Sequence, residues 1–159
     1  METRHWSDKL IPQTACREAL IWVRTQPDPK TAWLICERGD WMLWLLSKQT
    51  DSPESASLKK LVLIACSCAR LALPYVKMGE CRPLIAIEIA ERWAHTKNRI
   101  TSKEIKSAST ASASAAASAP AYASAAASAA DDANSKILKQ CAEIVRQHYS
   151  KPPIPAKTR

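Results

Sequence analysis

Phenylalanine is absent from this chain, glycine occurs only twice and histidine three times. Each scarcity removes a class of structure or chemistry. Tight two-residue hairpins lean on glycine for their positive φ, so a sheet built of such hairpins is disfavoured. Two isolated glycines, Gly39 and Gly79, cannot make a Gly-rich phosphate loop. The most apolar stretch, Leu61–Val76, is 16 residues long and contains Arg70 and Pro74, too short and too polar to cross a bilayer. Met1 leads into polar and charged residues with no apolar leader, so a cytoplasmic protein is expected. There Cys16, Cys36, Cys66, Cys68, Cys81 and Cys141 are read as reduced thiols.

Basic blocks are also missing. The net charge is +8, from 23 Lys and Arg against 15 Asp and Glu, yet no run of basic residues exceeds two. Residues 1–106 carry 17 basic and 12 acidic side chains, and residues 107–159 carry six and three. Nucleic-acid binders gather Lys and Arg on one face, and no such stripe is visible in the sequence. A diffuse excess suits an acidic partner and suits solubility equally.

What the chain does have is helix punctuation. A length of 159 residues suits one domain with a sizeable buried core. The spacing of Ala15, Cys16, Ala19, Leu20 and Val23 predicts a first helix over Pro12–Thr25. Asp28-Pro29 supplies an N-cap and a proline at the first helical position of a second, carrying Ala32, Trp33, Ile35 and Cys36 and ending at Gly39. Asp40 is read as the cap of a third helix, whose six large apolar residues Trp41–Leu46 imply enclosure on most sides. Ser52-Pro53 opens a fourth, with Leu58, Leu61, Val62, Ala65, Ala69 and Ala72 inward and a bend at Pro74. Pro83 begins a fifth, with Ala86, Ile89, Ala90 and Trp93 on one face and Glu88, Glu91, Arg92 and His95 on the other.

Thr101 and Glu104 match a capping box, flanked by Ile100 and Ile105 as a hydrophobic staple. Residues 107–130 then hold 14 Ala and seven Ser. Alanine is the best helix former, whereas flexible linkers combine Ser with Gly, so a helix interrupted at Pro120 is predicted. A last helix is predicted over Ser135–Tyr149, with Ile137, Leu138, Cys141, Ile144, Val145 and His148 on one stripe. The reading is an all-α, single-domain multi-helix bundle of about six to eight helices over residues 1–150, including the Ala/Ser-rich helical segment 107–130, with a disordered tail at 151–159.

Candidate sites are few. Cys66 and Cys68 are two apart, so on a helix they point in different directions, and zinc thiols prefer two to four intervening residues. No metal or cofactor is expected. His5, His95 and His148 carry no nucleophile–base motif. Glu88 and Glu91 stand one helical turn apart, a spacing that suits paired acid–base work, but Glu88–Arg92 and Glu91–His95 read as i,i+4 surface pairs. Arg70 is the single charge between Lys60 and Lys77, which predicts a buried ion pair with Glu37, Asp40 or Glu88. Trp33, Trp41 and Trp44 are assigned to the core. Trp6 and Trp22, close in sequence to Arg4, Arg17 and Arg24, are the candidate partner-binding residues, because Trp and Arg anchor interfaces.

Cys16-Arg17-Glu18-Ala19-Leu20, Ala32-Trp33 and Cys36-Glu37-Arg38-Gly39-Asp40-Trp41-Met42-Leu43-Trp44-Leu45-Leu46 form the first part of a longer ordered pattern. Ala65-Cys66-Ser67-Cys68-Ala69-Arg70-Leu71-Ala72-Leu73, Arg82-Pro83, Ala86-Ile87-Glu88 and Ala90-Glu91-Arg92-Trp93-Ala94 continue it. An Ala-rich stretch and a helix ending near Ile144-Val145-Arg146 complete it. Over residues 14 to 148 this order resembles the uncharacterised bacterial and phage proteins described as immunity proteins. The resemblance implies a non-enzymatic inhibitor that binds a toxin or defence protein stoichiometrically, and it implies no particular site residues. The alternative drawn from charge is a nucleic-acid-binding helical module.

Overall fold

The computed structural model describes residues 5–13, 15–49, 55–95 and 127–153. Among them are six α-helices and no strand: α1 (Arg17–Arg24), α2 (Pro29–Ile35), α3 (Gly39–Ser47), α4 (Ala56–Ala72), α5 (Arg82–His95) and α6 (Ala127–His148). Two 3₁₀ segments, Trp6–Gln13 and Leu73–Tyr75, precede α1 and follow α4. The all-α class read from the sequence is therefore the class observed. No helix among the described residues is long and apolar enough to cross a membrane. The capping box at Thr101–Glu104 and residues 107–126 lie outside the described residues.

Local chemistry accounts for several boundaries. Asp28 caps α2 as expected: its carboxylate accepts from the Thr31 amide at 2.9 Å and the Thr31 hydroxyl at 2.7 Å. Those two bonds hold the Asp28 carboxyl below its ordinary pKa. Ser55, not Ser52, caps α4, accepting from the Leu58 amide at 3.1 Å. At Pro74 the chain leaves α4 through the short 3₁₀ turn, because the ring has no N–H to continue the ladder. Gly79 sits at φ 87°, a left-handed conformation that glycine adopts without steric cost.

Other boundaries differ from the sequence reading. The predicted first helix is split, because Pro12 lies in the 3₁₀ segment and Cys16, extended at φ −66° and ψ 152°, starts α1 afresh. Gly39 does not end α2. It opens α3, where an added Cβ would lie 2.4 Å from the Cys141 Cβ. Asp40 falls inside that helix instead of capping it, and its carboxylate takes both arms of the Arg38 guanidinium at 2.9 and 2.7 Å. α6 begins at Ala127, well before Ser135.

The core lies where α3 and α4 meet α6 and α4 meets α5. Trp33, Met42, Leu46, Leu61, Ile64, Cys68, Cys141, Ala142 and Val145 are buried together. On α4 the inner stripe runs through Leu61, Ile64, Cys66 and Cys68, while Ala69 and Ala72 are exposed. Small residues were predicted inside there because periodicity weighs position and not size, and Ile64 gains far more from burial than an alanine does. On α5, Ile87 and Ala94 are the buried pair. His148, predicted to face inward from α6, is exposed, although its carbonyl accepts from Lys60 Nζ at 3.2 Å.

Arg70 is the clearest correction. It is exposed and forms no buried network with Glu37, Asp40 or Glu88; its guanidinium forks onto Glu91 at 2.8 and 2.6 Å. Glu37 pairs with Lys139, Asp40 with Arg38, and Glu88 is exposed on α5. The arginine that does reach inward is Arg146. Its Nη1 donates to Cys36 O at 2.7 Å and to Trp33 O at 3.4 Å, satisfying carbonyls that the end of α2 leaves without helical partners. Replacing Arg146 with methionine keeps the stem and removes these donors, so a loss of about 2 kcal/mol is expected from urea denaturation. An unchanged urea midpoint would show that water serves those carbonyls equally well.

Candidate functional site

The described surface carries one deep apolar groove, and short-range geometry explains how it is made. α2 brings Ala32 and Trp33 to its floor, Cys36 follows at its C-cap, and α3 adds Met42, all four buried. Trp41, Trp44 and Leu45 of α3 stand along it half-buried, and Trp6 of the first 3₁₀ segment closes another side. The cavity measures about 180 Å³, and among the described residues no charged side chain lines it. Both indole N–H groups that need a partner inside the wall have one. Trp33 donates to Tyr149 O at 2.8 Å, and Trp6 donates to Gln26 O at 3.0 Å. The lining therefore presents ring faces and aliphatic edges, with the Trp6 and Trp33 N–H groups already engaged.

Charge is confined to the margin. The Arg38 guanidinium lies 4.3 Å from the Trp41 ring centroid, and Lys48 Nζ lies 5.5 Å from that of Trp44. Arg38 is held on its other side by Asp40, and this bond keeps the guanidinium pKa above its usual range. Trp22 supports Trp41 from behind, their rings 5.9 Å apart and tilted by 54°. An apolar centre with a polar, cationic rim is the arrangement that concentrates binding energy at protein interfaces.

The sequence-derived partner residues are only partly gathered there. Trp6 lines the groove and Trp22 backs it. Arg17 is exposed at the start of α1, and Arg24 is exposed with Asp8 3.8 Å away; neither lines the groove. Arg4 lies outside the described residues. Trp41, assigned to the core, packs against the buried cluster and also walls the groove, whereas Trp44, assigned there too, is a wall residue only. Six large apolar side chains in a row cannot all be enclosed by a helix of nine residues, and that run was the available signal. Nothing local marked Pro152 and Pro153, which also line the groove. Residues 154–159, the rest of the tail predicted to be disordered, lie outside the described residues.

Other chemistry is sparse. Among the described residues no group of three or more His, Cys, Asp or Glu could hold a metal ion. Cys66 and Cys68 diverge as two-apart helical positions must: one thiol points to Ile87 O at 3.8 Å, the other to Cys141 O at 3.9 Å. Burial raises both thiols, Cys68 to about 12, so neither ionises near neutral pH. His5 Nδ1 and Ser7 Oγ lie 2.7 Å apart, a hydroxyl–imidazole pair that the sequence reading missed. Ser7 is 1% exposed, so no substrate carbonyl can reach its oxygen. Glu91 is occupied by Arg70, while Glu88 and His95 are exposed on the same helix.

Comparison of the chain with family models, with curated proteins and with solved structures finds no match.

Proposed function

We propose that this chain is a protein-binding inhibitor of the immunity or anti-defence type, which neutralises a toxin or defence protein by stoichiometric binding through the Trp groove. The carrying observation is the groove itself: four indoles, no charged residue in the described lining and a cationic margin. Small-molecule sites run to about 300–1,000 Å³ and place a few converging polar groups to orient the ligand. This cavity is smaller and lacks such groups, so it suits one or two apolar side chains of a larger partner. The resemblance of residues 14 to 148 to immunity proteins supplies the biological direction. Net charge and Lys48 at the rim favour a partner whose contact surface is acidic around its apolar anchor. Nucleic-acid binding draws less support, since Arg24, Arg38, Arg70, Arg82 and Lys139 each stand beside a carboxylate.

The test is affinity capture from a host lysate by tagged native chain and by Trp44→Ala, with and without nuclease. Trp44 lines the groove but lies outside the buried cluster, so its removal leaves the fold in place. One protein retained at one-to-one stoichiometry after nuclease is expected. Trp44→Ala should weaken it by about 2 kcal/mol, roughly 30-fold, as an interface hot spot does. Equal capture by both chains, retention of nucleic acid alone, or turnover of a substrate would each overturn the reading.

A further inference from the structure

The groove already holds a chemical hint about its ligand. Pro152 and Pro153 are half-buried and form part of its lining. They follow Tyr149, whose carbonyl is pinned by the Trp33 indole, so the chain leaving α6 is delivered onto the Trp-rich face. The sequence there reads Lys151-Pro152-Pro153-Ile154-Pro155. A proline ring fixes φ near about −65° and pushes the residue before it into extended geometry. Lys151 and Pro152 both precede prolines, so covalent structure alone sets this stretch toward the polyproline II form.

Such a segment suits such a groove for three physical reasons. Proline brings no amide N–H, so an apolar wall leaves no donor of the segment unsatisfied. Its compact ring packs against indole faces, and the half-buried Trp6, Trp41 and Trp44 provide three of them. A segment already extended before docking loses little conformational entropy, which is how aromatic grooves recognise proline-rich ligands. We infer that the groove is a receptor for a proline-rich extended segment with at least two successive prolines, and that Pro152 and Pro153 take up one side of it in the free chain until a partner segment displaces them. This rests on the groove being the partner-binding surface.

The probe is a blocked peptide spanning residues 150–157 and its counterpart with every proline replaced by alanine. Each is titrated by calorimetry into the full native chain and into full-length Pro152→Ala/Pro153→Ala. Both prolines lie beyond α6, so their replacement removes no helical hydrogen bond. The double variant should bind the proline peptide about 10-fold more tightly than the native chain, because self-occupancy lowers apparent affinity by the free fraction. The indole N–H resonances of Trp41 and Trp44 should shift on binding while that of Trp93, on α5, stays put. Equal affinity for both chains, no binding to either, equal binding of the alanine peptide, or shifts confined to Trp93 would overturn the inference. If the peptide fails while Trp44→Ala still loses the captured protein, the proline chemistry alone is wrong. If the peptide binds and Trp44→Ala retains its capture, the receptor stands and the inhibitor acts through another surface.

Discussion

Trp33→Ala is expected to cost about 3–5 kcal/mol, read as a fall in the urea midpoint with little change in far-ultraviolet dichroism before the transition. α2 has only seven residues, too few to persist without tertiary support. Trp33 supplies that support. It is 4% exposed, belongs to the buried cluster, and its indole ties α2 to the carbonyl of Tyr149. Truncation leaves a void that the surrounding helices fill only in part, and it leaves that carbonyl without its donor. Domains of this size hold about 5–15 kcal/mol in total, so the loss is a large fraction of the whole. A cost below about 1 kcal/mol would show that α2 is anchored elsewhere.

Gly39→Ala should be nearly as damaging, and here the sign is diagnostic. In an exposed helix, replacing glycine with alanine stabilises by up to about 1 kcal/mol. At Gly39 the added Cβ would meet Cys141 Cβ at 2.4 Å, Ala142 N at 2.7 Å and Cys141 C at 2.8 Å. Two of those three atoms are α6 backbone, which cannot rotate aside. α3 and α6 would have to separate, opening the core around Met42 and Ala142. A loss of about 3 kcal/mol is expected, at the upper end of ordinary overpacking, measured by urea denaturation. A neutral or stabilised variant would mean that the two helices part easily.

These two residues also mark how far local sequence could be read. Trp33 was placed in the core from helical spacing, and Asp28 was assigned its capping role from the proline that follows it. Both signals lie within a few positions of the residue concerned. Gly39 was read as a stop because glycine ends many helices; its real constraint is the backbone of α6, remote in sequence. The inward-reaching arginine, Arg146 and not Arg70, was missed for the same reason. Apolar neighbours along the chain made Arg70 look buried, yet it lies on the exposed side of α4 opposite Glu91. Arg146 sits among the polar residues of an amphipathic helix, and its carbonyl partners lie over a hundred positions earlier. The groove was half legible: an overfull run of apolar side chains in α3 announced that some must face out, but no pattern announced the prolines that meet them.

The bonds between Trp33 and Tyr149 and between Arg146 and Cys36 span 116 and 110 positions of sequence. A ribosome adding about 5–20 residues per second needs roughly 5–23 s to cover such a distance. During that interval the nascent chain already holds α2 and α3 but not the helix that covers them. Neighbouring α4 and α5 can pair early, since Arg70 and Glu91 are 21 positions apart, and the N-terminal part must wait. Closure by α6 carries the larger loop entropy. Until then Trp33 and Met42 lack the helix that buries them, and a chaperone holding the unfinished chain would grip that apolar face.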